Sequence, residues 1–253
     1  MRWDPTQYGR FAGPRSRPFF DLVGRVQAPA PARVVDVGCG SGELTVTLAE
    51  RWPVAEIRGF DSSPEMIERA PRGGGVEFAH GSAEEFDAAG VDVLISNAVL
   101  QWVPDHLPLL GAWAQQINPG GWLAFQVPDN FDAPSHVLLR EVAEQWPALH
   151  GRLRRDPVYA PGEYLEHLAA HGLAVDAWQT EYQHVLPGED AVLEWMRGTA
   201  MRPVLTFLDE ERAAAFSAQL AARLREAYPR RPYGTVLPFK RTFVVATAAS
   251  SRG

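Results

Sequence analysis

Three glycines follow a run of valines near the start of the chain and could form a ligand-binding turn. Residues 34–37 read Val-Val-Asp-Val, which favours a buried parallel strand, and Gly38, Gly40 and Gly42 come directly after it. Glycine adopts positive φ angles and, because it lacks a Cβ, lets a ligand lie against the main chain. The first N–H groups of a following helix, expected over residues 43–50, would point at that ligand.

An acidic residue ends the next short strand. Residues 57–61 read Ile-Arg-Gly-Phe-Asp, which places Asp61 about 20 residues beyond the glycines, where a carboxylate can accept hydrogen bonds from both hydroxyls of a ribose. An alternative is that Asp61 is a helix N-cap, because Ser-Ser-Pro-Glu follows it. The spacing G-x-G-x-G is neither the dinucleotide-binding G-x-G-x-x-G nor a phosphate loop, and the turn could also be a tight connection without a ligand.

Composition restricts the classes of protein that fit. The 253 residues, of which 46% are hydrophobic, can bury a full core in one large domain. The single cysteine excludes an internal disulfide, and we recognise neither a leader nor a membrane-spanning apolar run, so we expect a cytoplasmic protein. The net charge of −7 gives no general attraction to nucleic acid or anionic lipid. The histidines lack the spacing of a metal site with a third ligand nearby, and no metal is expected.

Strand-like and helix-like segments alternate along most of the chain. This pattern predicts an α/β fold with a doubly wound, mostly parallel sheet of seven strands. The expected strands are residues 33–37, 57–61, 76–79, 91–96, 122–127, 173–185 and 239–246. The best-defined helices are expected over residues 64–70, 105–117, 162–171 and 209–228.

Two segments are longer than simple connectors. Residues 129–157 and 187–235 carry helical patterns, and no linker or repeat separates them from the rest. We interpret them as insertions that form a helical cap within a single domain, residues 1–253. The oligomeric state is not predicted.

Polar and aromatic residues follow the fourth predicted strand. Asn97, Gln101 and Trp102 come where the strand ends, and ligands of open α/β sheets gather outside the carboxyl ends of the strands. We therefore expect these side chains to face a ligand. For Trp102, ordinary core packing is the alternative.

The motif Asp-x-Gly-x-Gly-x-Gly after a valine-rich strand resembles motif I of the class I S-adenosylmethionine-dependent methyltransferases, which have a Rossmann-like fold. Residues 97–106, 127–130 and 134–142 resemble, in the same order, the trans-aconitate methyltransferases of that class. The resemblance implies methyl transfer from S-adenosylmethionine to a carboxylate of trans-aconitate or a related small polycarboxylate, giving a monomethyl ester and S-adenosylhomocysteine.

The resemblance also implies which residues bind the cofactor. Met66 would pack on the adenine, although it could be an ordinary core methionine. Ser82 stands where the family often has an aspartate that meets the adenine amino group, a departure that leaves this contact open. The implied cofactor-binding residues are Asp36, Gly38, Gly40, Gly42, Asp61, Ser62, Met66, Ser82 and Asn97.

The implied reaction sets the chemistry that the substrate site needs. A carboxylate is ionised at neutral pH and attacks a methyl group without a general base, so the protein has to align the reactants and hold the other carboxylates with arginines. We expect Trp102, Arg202 and Arg241 to position the substrate. The candidate substrate-binding residues are Tyr8, Arg15, Arg17, Trp102, Asn130, His136, Arg140, His184, Arg202, Tyr233 and Arg241.

Other functions remain open from the sequence. A methyltransferase for another acid, an amine or a phenol would keep the cofactor, but an amine or phenol would require a base. A nicotinamide-dependent oxidoreductase would have the same fold class, although the glycine spacing is not typical of one. A protein that binds the cofactor without catalysis is the third alternative.

Overall fold

A computed structural model describes residue 13 and residues 16–153 and 158–250. The predicted site residues Tyr8 and Arg15 lie outside them. Of the described residues, those within 1–128, 157–180 and 242–253 form one compact unit, and those within 129–156 and 181–241 form a second. The segments that we interpret as a cap overlap the second unit in sequence, and their role as a cap stays a prediction.

The sheet has seven strands in the order β3-β2-β1-β4-β5-β7-β6. β1 pairs in parallel with β2 and β4, β2 with β3, and β4 with β5. The predicted fold class is therefore confirmed. The strands are β1 Arg33–Val37, β2 Glu56–Asp61, β3 Val76–His80, β4 Val93–Asn97, β5 Trp122–Pro128, β6 Leu173–Leu186 and β7 Thr235–Ala248.

Helices alternate with most of these strands, as the sequence pattern predicts. In the first unit they are α1 Arg17–Val23, α2 Leu48–Arg51, α3 Pro64–Arg69, α4 Leu107–Gln116 and α6 Pro161–Ala170. In the second unit they are α5 Pro134–Glu144, α7 Ala191–Arg197, α8 Arg202–Leu205 and α9 Glu210–Ala227. No helix of the described ranges is both long and apolar enough to cross a bilayer.

The prediction of one helix over residues 43–50 is wrong. A 3-10 turn, Thr45–Thr47, comes first, and α2 contains only Leu48–Arg51. The β-branched side chains here lose rotamer freedom in a helix. In addition, the Thr45 hydroxyl donates to Asp36 and the Thr47 hydroxyl donates to the carbonyl of Leu44. These local bonds compete with a regular helix.

Each unit has its own hydrophobic core. In the first unit, Leu94 of β4, Phe125 of β5 and Trp113 of α4 are completely buried in one cluster. Four of the five β4 residues are buried, as expected for a parallel strand that is covered on both faces. In the second unit, Phe216 and Leu220 of α9 lie in another cluster.

Leu94→Ala tests the central strand. We expect it to lower the free energy of unfolding by about 2–5 kcal/mol, because it removes a buried side chain and leaves a cavity. Val54, whose side chain is 85% exposed, is the matched control, and Val54→Ala should stay within about 0.5 kcal/mol of the wild type. Urea titration measures both, and equal losses would contradict the assignment of this core.

Candidate ligand-binding site

The three glycines of the turn after β1 serve different purposes. Gly38, Gly40 and Gly42 have φ angles of +81°, +58° and +74°. A Cβ on Gly38 would overlap Val99, and a Cβ on Gly42 would overlap the ring of Phe78, whereas a Cβ on Gly40 would meet nothing within 4 Å. Packing thus requires two of the glycines. Gly40 faces open space where a ligand can approach the main chain.

Asp61 joins the glycine turn to the end of β2. Its Oδ2 accepts a hydrogen bond from the Gly40 amide at 2.8 Å, and its Oδ1 accepts one from the Ser63 amide at 2.9 Å. The N-cap of α3 is Ser63, whose hydroxyl accepts from the Met66 amide, so the alternative of Asp61 as the cap is wrong. Each carboxylate oxygen of Asp61 keeps a lone pair that a ribose hydroxyl could use.

Asp36 is a buried acid with one unsatisfied oxygen. It is 2% exposed, and its Oδ2 accepts a hydrogen bond from the Thr45 hydroxyl at 2.6 Å. Its Oδ1 has no hydrogen-bond partner among the described residues. Burial raises the pKa of Asp36 to about 6, the Thr45 hydroxyl opposes that shift, and the charge of Asp61 adds to it. A cationic donor beside Oδ1 would satisfy this acid, as the ammonium group of an amino-acid ligand would.

Two side-chain hydrogen bonds lie at the end of β4 and in the turn that follows it. Asn97 Oδ1 accepts from Gln126 Nε2 at 2.6 Å, and Gln101 Nε2 donates to the carbonyl of Ala98 at 2.7 Å. Trp102 is 59% exposed, so core packing is the wrong alternative for it. Our sequence analysis missed Gln126, which binds Asn97, and Thr45, which binds Asp36. A glutamine inside the apolar strand 122–127 was the available signal.

The remaining candidate cofactor residues follow β2 and β3. Ser62 is exposed, Met66 is half-buried in α3, and the Ser82 hydroxyl accepts from the Glu85 amide at 3.3 Å. Half-burial leaves part of Met66 accessible to a ligand. Burial and the charges of Asp36 and Asp61 raise the pKa of the Cys39 thiol above its usual range, so this thiol is a poor nucleophile.

Arg17 of the first unit is exposed, whereas Arg241 of the second unit is buried. Arg17 lies on α1, its side chain is 62% exposed, and it pairs with Asp21 at 3.6 Å. Arg241 is 7% exposed, and its guanidinium lies 5.0 Å from the ring centroid of Phe239. Burial lowers the pKa of Arg241 to about 10, and the neighbouring Tyr182 opposes that shift. Arg241 is thus a buried cation in an aromatic setting.

Other candidate substrate residues of the second unit fall into two groups. His184 is buried, with its ring centroid 5.9 Å from that of Phe239, the ring that also contacts Arg241. Asn130 uses its amide on the backbone of Lys240, donating to the carbonyl at 2.9 Å and accepting from the N–H at 2.8 Å. His184 therefore lies near Phe239 and Asn130 binds Lys240, both of which are neighbours of Arg241.

The second group lies elsewhere in that unit. His136 and Arg140 are one turn apart on α5, and both contact Phe131. Burial and the charge of Arg140 lower the pKa of His136 to about 4, so this imidazole is neutral near pH 7. Arg202 on α8 and Tyr233 before β7 are exposed. Among the residues that the structure describes, no three His, Cys, Asp or Glu side chains could hold a metal ion together.

Asp36→Asn tests the burial of this acid. The pKa of Asp36 is raised from 3.8 to about 6 in the folded state, so its contribution to stability is full below its ordinary pKa and is lost as the pH rises through about 6. Asparagine removes that loss. We expect the free energy of unfolding of the variant to exceed that of the wild type by up to about 3 kcal/mol at neutral pH. Near pH 4 the two values should be equal.

Asp176→Asn is the control for this experiment, because Asp176 is an exposed partner of Arg25. Removal of a surface pair should change the free energy of unfolding by less than about 1 kcal/mol. Denaturant titrations over a pH series measure both variants. If the difference in free energy of unfolding between the wild type and Asp36→Asn is the same at every pH, the raised pKa of Asp36 is contradicted.

Comparisons with known proteins identify the family of this chain. A family model described as a methyltransferase domain matches residues 11–177. Trans-aconitate 2-methyltransferase of Streptomyces coelicolor is 50% identical, covering 99% of this chain and 88% of its own, and that of Rhodococcus jostii is 49% identical, covering 96% and 98%. A structure of Haemonchus contortus phosphoethanolamine N-methyltransferase 2 in complex with S-adenosyl-L-methionine has a TM-score of 0.58 at 14% identity, covering 96% of this chain and 56% of that one. The resemblance seen in the sequence is confirmed, and the chain belongs to the methyltransferase family, among its trans-aconitate 2-methyltransferases.

Proposed function

We propose that this protein transfers the methyl group of S-adenosylmethionine to a carboxylate of trans-aconitate, giving a monomethyl ester and S-adenosylhomocysteine. The observation that carries the proposal is the 50% identity, over 99% of the chain, to a relative of that name. Family membership makes the nicotinamide-dependent oxidoreductase the wrong alternative. A small polycarboxylate as partner, without nucleic acid or membrane, and a cytoplasmic location belong to the proposal and agree with the charge of −7.

The residues around the glycine turn fit the proposed cofactor. Gly40 gives the methionine part access to the main chain, and the unsatisfied Oδ1 of Asp36 suits its ammonium group. Asp61 has lone pairs for the ribose hydroxyls. Gly38 and Gly42 shape the turn, while Ser62, Met66 and Ser82 are the candidates for the adenosine. When bound, the cofactor supplies a sulfonium-activated methyl group.

The reaction requires no proton transfer by the protein. A carboxylate oxygen of the acid forms the new O–C bond as the C–S bond breaks, and the electron pair of that bond remains on sulfur, which becomes a neutral thioether. No proton moves, because the acid is already ionised. Alignment of oxygen, carbon and sulfur is the main contribution of the protein, and orientation of this kind can supply several kcal/mol.

Arg241 is the leading candidate to hold a second carboxylate of the acid. Its guanidinium is buried beside Phe239, where a low local dielectric strengthens attraction to an anion. Further candidates to bind a carboxylate in the second unit are Arg140, His136 and the exposed Arg202. The proposed set also includes Trp102, Asn130, His184, Tyr233, Arg17, Tyr8 and Arg15.

Incubation with labelled cofactor and a panel of citrate-like acids tests the function directly. We expect a methyl ester of trans-aconitate, identified by mass spectrometry, and no transfer to amines or phenols. The rate should show no essential base near neutral pH, because the reacting carboxylate needs none. Transfer only to an amine or a phenol, with a base in the pH–rate profile, would overturn the proposed acceptor.

Arg241→Gln and Arg202→Ala test the substrate cations. We expect the KM for trans-aconitate to rise by about tenfold or more, because a charge-assisted hydrogen bond is lost, while the Kd for S-adenosylhomocysteine stays near the wild-type value. Arg212→Ala is the control, since Arg212 is exposed on α9 and pairs with Asp209. A variant with unchanged KM removes that arginine from the site.

Gly40→Ala tests the cofactor site without an activity assay. The added Cβ enters the space where the ligand should lie, so the Kd for S-adenosylhomocysteine should rise by at least about tenfold in calorimetric titration, with a stability cost of about 1–2 kcal/mol from the positive φ. Gly38→Ala is the companion variant. Its Cβ would overlap Val99, so it should lose more stability than Gly40→Ala. Unchanged affinity in Gly40→Ala would contradict the proposed site.

A further inference from the structure

The turn after β4 is held in an unusual backbone conformation. Ala98 has a φ of +59°, which residues with a Cβ rarely adopt. Its N–H donates to the carbonyl of Gln126 at 2.9 Å, and its own carbonyl accepts from Gln101 Nε2 at 2.7 Å. A strained residue persists only where its surroundings hold it, so both glutamines keep this turn in place.

The same turn is packed against the glycine turn of the candidate cofactor site. The side chain of Val99 lies so close to Gly38 that a Cβ on Gly38 would overlap it. All of these residues belong to the first unit. The position of Asn97, which precedes the strained Ala98, is therefore fixed relative to the glycine turn.

The orientation of the Asn97 amide is fixed by the neighbouring strand. Asn97 and Gln126 are register partners on the parallel strands β4 and β5. Gln126 is 1% exposed, and its Nε2 donates to Asn97 Oδ1 at 2.6 Å. Because the amide oxygen is occupied in this way, Asn97 has its Nδ2 and two N–H donors left for a ligand.

A pair of N–H donors matches some ligands and not others. A carboxylate oxygen accepts such hydrogen bonds strongly, whereas an ammonium group or a protonated amine offers only donors of its own. The resemblance alone assigns Asn97 to the cofactor. Its donor character suits the acid substrate at least as well, and it would disfavour an amine in the same place.

We propose that Asn97 donates to a carboxylate of the acid substrate and that Gln126 is the positioning residue that turns the Asn97 amide this way. This inference rests on the proposed function, and it assigns a specificity role to a residue of the first unit. The contact would help to select an ionised acid over an amine acceptor.

Asn97→Asp tests the direct contact. Aspartate at this position accepts the Gln126 hydrogen bond but offers a negative charge to the acid, so the KM for trans-aconitate should rise by more than about tenfold. The Kd for S-adenosylhomocysteine should change by less than about threefold. The KM of the variant, relative to that of the wild type, should also fall as the pH is lowered from about 7 to about 5, because the introduced carboxyl group, with an ordinary pKa of about 3.9, begins to be protonated and can then donate a hydrogen bond. A purely structural role would not produce this pH dependence.

Gln126→Met tests the positioning role, since methionine has a similar shape and no donor. It should raise the KM for trans-aconitate by about threefold to tenfold with a smaller change in kcat. Asn118→Ala is the control, because the Asn118 side chain donates a hydrogen bond to Asp92 near the opposite, amino end of β5. Its KM should equal that of the wild type.

The outcomes separate this inference from the proposed function. If the wild type methylates no acid, the proposed function fails and the inference fails with it. If the wild type methylates trans-aconitate but both variants keep its KM, the inference alone is overturned. It is also overturned if Asn97→Asp weakens S-adenosylhomocysteine as much as the acid, since Asn97 then belongs to the cofactor.

Discussion

The hydrogen bond from the Gly40 amide to the Asp61 carboxylate joins the ends of β1 and β2. It depends on a backbone that only glycine adopts readily, because all three glycines of the turn have positive φ angles and two of them have no room for a Cβ. The parallel pairing of β1 with β2 and β4 brings three chain turns to one edge of the sheet. The candidate cofactor site is the consequence of that pairing.

Two features at this edge lower the stability of the protein without a ligand. Asp36 is buried with one unsatisfied oxygen, and Ala98 is strained. Both costs have the same explanation if the edge is shaped for a ligand, since a bound donor would satisfy the acid and the strained turn fixes Asn97 beside the glycines. Stability is reduced at the place where binding requires a fixed geometry.

The second unit adds cationic groups in a different setting. Arg241 is buried beside the ring of Phe239. The Asn130 amide makes hydrogen bonds with both the carbonyl and the N–H of the adjacent Lys240. Asn130, which our sequence analysis treats as a substrate contact, thereby has a clear structural use. In this arrangement it would stabilise the strand segment that carries Arg241, and the arginine would provide the charge.

The sequence by itself determined the strand order along the chain, the glycine turn, Asp61 and the family, because these depend on local patterns of valine, glycine and acid that survive without tertiary context. It did not determine the partners of buried polar atoms. Gln126 lies 29 residues from Asn97, Thr45 gives its hydroxyl to Asp36 instead of continuing a helix, and Trp102 is exposed although its type suits a core. Only the tertiary structure decides these points, because burial and hydrogen bonding between distant residues follow from strand register and packing, which no local window of sequence contains.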